Sequence, residues 1–184
     1  MQLLKVVMRL GFCRRSRVDR VLTKGFNIQA DTTSVLICQA DFDVGEQYQA
    51  VIDTAPHAGA IVFFVGLVRD FYTPEQQAKV SSIELEHYAG MTESVCQQII
   101  DQAQQRFGFD SARIVHRVGT LNAGDQIVFV AVASRHRDSA FQAAQFIMDL
   151  LKTRATFWKK EVGDNGEHWL GVKARDEIAS KRWL

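Results

Sequence analysis

The segment "QIVFVAVAS", residues 126–134, constrains the fold more than any other stretch of the chain. From Ile127 to Ala133 it is unbroken by a polar residue and rich in β-branched and aromatic side chains. It is too short for a stable buried helix, so it reads as a buried strand, the most apolar of the chain. "LNAGD" supplies a turn before it, and "RHRDS" follows it. A helix is then expected from about Ser139 to Arg154, capped by Asp138 or Ser139, with Phe141, Ala144, Ile147, Leu150 and Leu151 as its apolar stripe. A second apolar run, "GAIVFFVGLVRD", gives another buried strand and ends on Arg69.

Around these two strands the remaining elements fall into place. "SVLICQ" is a short strand, and residues 44–52 can form a short helix. "SIELEHYAG" alternates Ile83, Leu85 and His87 against Glu84, Glu86 and Tyr88, the period of a half-exposed strand. Residues 91–107 change to helical spacing through Val95, Ile99, Ala103 and Phe107, with Thr92 as the expected N-cap. "ARIVHRVG" is a further strand, and "TFWKKEV", "GDNG" and "EHWLGV" form a β-hairpin around an Asn-Gly turn. The final "RDEIASKRWL" is a short polar helix anchored by Trp183. Strands interleaved with helices define one α+β domain over residues 34–184. Residues 1–33 are basic, lack that pattern and are expected to be a poorly ordered extension.

Composition limits what such a domain can do. Lys and Arg total 22 against 21 Asp and Glu, so any anion site must be local. Cys13, Cys38 and Cys96 never approach a C-x-x-C spacing, which argues against zinc or a disulfide framework and suits a reducing, cytoplasmic setting. His57, His87 and His116 show no metal spacing, and no apolar run approaches the roughly 20 residues that span a bilayer.

Cations gather where elements end. Arg69 closes one strand, and His136 and Arg137 stand between another strand and a helix. Lys152, Lys159 and Lys160 surround that helix's end and the hairpin. A helix N-terminus already favours an anion, and arginine adds a fork that fits phosphate oxygens. The plain alternative is that Arg135, His136 and Arg137 hold a loop in water. Lys152 equally suits a helix C-terminus without any catalytic role, and Lys159 suits the outward face of a strand. Against that, Phe157 and Trp158 offer a desolvating wall that could bring a lysine toward neutrality. Lys173, in the polar segment after the hairpin, is expected to be uninvolved. No serine or cysteine sits in a nucleophile elbow, so an enzyme of this sequence would need a nucleophile from elsewhere.

The stretches "DFDVGEQY", "GAIVFFVGLVRD", "LEHYAGMTE", "HRVGTLNAGDQIVFVAVASRHRDSAFQAAQFIMDLLKTRATFWKKE" and "KRW" resemble the catalytic large subunit of molybdopterin synthase, in that family's order. The resemblance implies an α/β hammerhead-type single domain with an added β-hairpin. It implies a sulfur transferase that converts cyclic pyranopterin monophosphate to molybdopterin, without a metal or cofactor of its own. The sulfur donor would be the thiocarboxylated C-terminus of a small ubiquitin-like carrier subunit, which supplies the missing nucleophile. A homodimer of large subunits with a carrier at each end, a heterotetramer, is the implied assembly. Carried over by motif, Lys152 and Lys159 are the catalytic residues, with Leu67, Val68, Arg69, His136, Arg137, Lys160 and Glu161 completing the substrate site. Leu67 stands where the family often has a lysine, and Thr156 replaces a common proline. The alternative from another class is a nucleic-acid-binding α+β module, suggested by exposed cations beside aromatics and opposed by the near-zero net charge.

Overall fold

The computed structural model describes residues 33–69, 80–163, 166–171 and 173–183. The expectation of a poorly ordered extension therefore lies outside the described residues, apart from Thr33. The order of elements is β1 (Thr33–Cys38), α1 (Val44–Thr54), β2 (Ala60–Leu67), β3 (Val80–His87), α2 (Met91–Phe107), β4 (Ser111–Arg117), β5 (Gly119–Asn122), β6 (Gln126–Ser134), α3 (Arg137–Arg154), β7 (Phe157–Gly163), β8 (Gly166–Leu170) and α4 (Ala174–Lys181). They form two four-stranded sheets, ordered β1-β4-β6-β2 and β5-β3-β7-β8. In the first, β1 runs parallel to β4, whereas β6 is antiparallel to both β4 and β2. The second is antiparallel at each of its pairings.

Strand β6 is apolar throughout because both of its faces are covered. Val128, Val130 and Val132 pack with Ile99, Ile100 and Ala103 of α2 and with Ala143, Ile147 and Leu150 of α3. Phe129, Ala131 and Ala133 face the other way, onto Phe42, Val51 and Ala55 around α1. A strand buried on both sides loses the alternation that marks a half-exposed one. The α3 stripe forms as the periodicity predicts, with one exception: Phe141 is 62% exposed. A third cluster, Val68, Ile83, Leu85, Val118 and Leu121, lies beneath the second sheet.

Two cap expectations are corrected. The N-cap of α2 is Gly90, whose N–H donates to Glu93 Oε2 at 2.6 Å. Gly90 carries a φ of 83°, a conformation that costs glycine little. Thr92 is instead fully buried within the first turn, its hydroxyl 3.0 Å from that of Thr156. Helix α3 begins at Arg137 rather than Ser139, with His136 as its N-cap. Trp183 is the anchor expected of the tail. Its ring packs edge-on against Phe107 and Phe146, and its indole donates to Asp149 at 2.8 Å.

The β6–α3 junction is held against the loop before β2. Gly59 N–H donates to the Ser134 carbonyl at 3.0 Å, and a Cβ at Gly59 would lie 2.5 Å from the Arg135 carbonyl oxygen. Gly59→Ala must push that backbone aside, and overpacking of this kind costs about 1–3 kcal/mol. Urea unfolding is expected to show a loss of that size, whereas Gly171→Ala, with open space around it, is expected to lose far less.

Candidate functional site

The candidate residues separate into two groups at opposite ends of the first sheet. Because β2 is antiparallel to β6, Leu67 lies opposite Gln126 at one end and Ala60 opposite Ser134 at the other. Arg69 leaves from the Leu67 end, and His136 and Arg137 follow Ser134 at the other. Helix α3 then runs back toward Arg69 and brings Lys152 into its last turn. At 1.5 Å per residue, Arg137 and Lys152 stand roughly 22 Å apart along the helix axis. One protomer cannot bring His136 and Arg137 to the lysines.

At the Arg69 end the chain is placed by a local irregularity. The β2–β6 register shifts between Gly66 and Leu67, and such a bulge re-aims the side chains that follow it. Leu67 is exposed, whereas Val68 turns into the third core cluster at 4% exposure. The Val68 N–H donates to the Asp125 carbonyl, and its own carbonyl accepts from Gly124, both at 2.8 Å. Val68 therefore serves to fix where exposed Arg69 begins.

Strand β7 sorts its residues by alternation. Phe157, Lys159 and Glu161 pair with His87, Leu85 and Ile83 and share the face of the buried Leu85 and Ile83. Burial pushes the Lys159 ammonium below the usual lysine range. Glu161 opposes that shift, while the positive charges of Lys173, Arg69 and Lys152 reinforce it. Those four cations thus share one electrostatic neighbourhood, with Glu161 beside them. Under Phe157 lies His116, its ring stacked on the phenyl ring at 3.8 Å between centroids and 14° between planes. His116 Nδ1–H donates to the Arg117 carbonyl at 2.8 Å. Burial pushes its pKa down to about 4, so it stays neutral at ordinary pH.

Three readings of the sequence change here. Trp158 is not the wall beside Lys159: it lies on the other face of β7, against Tyr88. Lys160 shares that far face. Its ammonium lies 2.8 Å from Glu84 and 3.0 Å from Glu167, and those hydrogen bonds raise its pKa. Lys173, expected to be uninvolved, places a positive charge close enough to Lys159 to help lower its pKa. Its position at the N-cap of α4, just past β8, comes from hairpin pairing that no local pattern announces. His116 was also missed as a candidate, since a histidine in an apolar strand reads as core.

Among the described residues, no three His, Cys, Asp or Glu side chains come together as a metal-binding group. A recess of about 410 Å³ lies between α2, α3 and the tail. It contains none of the candidate residues, and the Arg106 guanidinium within it donates to the Trp183 carbonyl.

Two sheets with helices against them, and a cluster of cations around a half-buried lysine, define an α+β protein with a local concentration of positive charge. The chain belongs to the MoaE protein family, whose family model matches residues 37–154. It is 46% identical over 150 residues to a molybdopterin synthase catalytic subunit of Ralstonia nicotianae, covering 82% of this chain and 84% of that protein. The Escherichia coli molybdopterin synthase catalytic subunit is 43% identical over 151 residues, covering 82% and 98%. Among solved structures, the molybdopterin biosynthesis MoaE protein from Burkholderia ambifaria superposes with a TM-score of 0.71. It is 42% identical and covers 82% of this chain and 97% of its own.

The sign of the Lys159 shift gives a test. A lysine whose pKa is lowered by folding releases its proton earlier in the native state than in the unfolded one. Stability from this group therefore rises with pH between the lowered native value and 10.5. Lys173→Ala removes a charge that helps lower it. Whichever limb of the pH–activity profile Lys159 sets is expected to move to higher pH in that variant, read from the pH dependence of turnover. A profile that does not move would separate the two residues.

Proposed function

We propose that this chain is the catalytic subunit of a molybdopterin synthase. It transfers sulfur from the thiocarboxylated C-terminus of a small ubiquitin-like carrier to cyclic pyranopterin monophosphate, forming the dithiolene of molybdopterin. The observation that carries this reading is the half-buried Lys159 among Arg69, Lys152 and Lys173. Both reactants bring negative charge, a cyclic phosphate and a carboxyl terminus, and a cation cluster neutralises both. A lysine with a lowered pKa can move a proton as the carbon–sulfur bond forms, and a charged one steadies negative charge on departing oxygen. Lys152 and Lys159 are the catalytic pair in this proposal. Leu67 and Arg69 form one wall, buried Val68 positions Arg69, and Glu161 tunes Lys159. Lys160 contributes from the far face of β7 through its hold on β3.

His136 and Arg137 enter from a second copy of the chain, since α3 holds them away from the lysines of their own protomer. The exposed apolar side chains Phe63, Phe64 and Leu67 on β2 and Phe141 near the start of α3 support self-association. The assembly is then a homodimer with one carrier at each end. A cytoplasmic location accords with the free thiols of Cys38 and Cys96 and with the absence, among the described residues, of a helix able to cross a membrane. A nucleic-acid role is not favoured: exposed Trp158 and Trp169 share their sheet face with Glu84, Glu86 and Glu167, which repel phosphate.

Purified protein mixed with thiocarboxylated carrier and pterin precursor is expected to produce dithiolene. Lys152→Ala and Lys159→Ala should fold and bind carrier yet lose about 10²–10⁴ in rate, the usual worth of an acid–base group. Near wild-type turnover in both would end the catalytic assignment. Shared sites make a separate demand. Co-assembling a His136→Ala/Arg137→Ala chain with a Lys152→Ala/Lys159→Ala chain should restore part of the activity that each lacks alone. Failure of mixed dimers to recover any would overturn a site that these four residues complete across two protomers.

A further inference from the structure

The outer face of the second sheet carries a recess outside the proposed sulfur-transfer site. Strand alternation turns Glu84 and Glu86 of β3 to the same side as Lys160 and Trp158 of β7, their respective partners. Trp169 of β8 pairs with Lys160 and completes that face. One cation is already held there. Lys160 Nζ sits between Glu84 and Glu167 and 5.4 Å from the centre of the Trp169 ring. One stride along β3 the same chemistry repeats with no cation from the described residues. Glu86 stands beside Trp158, whose ring meets Tyr88 edge-on at 4.6 Å, and Trp169 closes the far side. These residues and His87 line a recess of about 350 Å³. Glu86 has no ion-pair partner among the described residues, and His87 is directed toward Glu93 at 3.8 Å.

We propose that this recess is a docking site for an arginine or lysine side chain of a protein partner. Aromatic faces attract a cation through the ring quadrupole, and the adjoining carboxylate adds direct charge complementarity. Among the described residues, three glutamates against one lysine leave this face negative. The recess is open: Tyr88 and Trp169 are each 58% exposed and Trp158 is 41% exposed. A small-molecule site would enclose most of its ligand, whereas an open aromatic shelf suits a side chain whose backbone remains outside. Among the described residues, strand β8 is the edge of its sheet, where an approaching polypeptide can add backbone hydrogen bonds. This site lies on the opposite face of β7 from Lys159, and its occupancy is independent of the proposed chemistry.

The test uses the full chain and the indole N–H signals of Trp158, Trp169 and Trp183 in a nitrogen-15 spectrum. N-acetyl-arginine amide is titrated against its neutral isostere, N-acetyl-citrulline amide. The Trp158 and Trp169 signals are expected to shift saturably with the arginine probe and not with citrulline. Trp183, bound to Asp149, should stay still. Glu86→Gln, which keeps shape and removes charge, should weaken the probe about two- to five-fold, as should Trp169→Ala. Equal shifts with both probes, or none with either, overturn the proposal. So does a shift of the Trp158 and Trp169 signals with protein concentration alone, which would make the occupant a second copy of this chain.

Discussion

Burial of β6 on both faces is the constraint from which the rest of the arrangement follows. Its valines require α2 and α3 on one side, and Phe129, Ala131 and Ala133 require α1 on the other. With both faces covered, the chain leaving Ser134 must fold back over the sheet. It does so as α3, so the direction of α3 is set by the strand before it. That single reversal puts His136 and Arg137 at one end of the domain and Lys152 at the other.

The electrostatics of the lysine end are a consequence of that packing. Lys159 shares a strand face with the buried Leu85 pairing, which removes water from one side of its ammonium. Three further cations converge from β2's end, α3's end and the segment after β8. Desolvation and like charge act in the same direction, whereas Glu161 alone opposes them among the causes that act on this group. On the other face of the same strand the balance reverses. Lys160 meets two carboxylates and an aromatic ring, and its charge is stabilised. Adjacent lysines in one sequence motif thus have opposite acid–base character, because a strand sends neighbours to opposite faces.

Much of this was readable along the chain. The apolar runs announced β2 and β6, the alternation in "SIELEHYAG" announced β3, and the Asn-Gly turn announced the β7–β8 hairpin. Helix α2 has the bounds that its periodicity predicts. Errors arose where a local signal competed with a tertiary contact. Thr92 looks like a cap, but its hydroxyl is drawn into the core by Thr156. Phe157 and Trp158 look like one wall beside Lys159, yet only Phe157 shares its face.

By itself the sequence determined the α+β class, the order of the strands and helices, and the cations worth examining, since periodicity and turn chemistry act over a few residues. It could also carry the family resemblance, because that is a property of residue order. Tertiary structure alone decided which cations meet. Strand pairing brought Lys173 toward Lys159 across a hairpin, the length and direction of α3 held His136 and Arg137 away, and alternation turned Lys160 outward to its glutamates. Each of these depends on distances between residues far apart in the chain, and those distances are set by the packing of the two sheets and not by any local pattern.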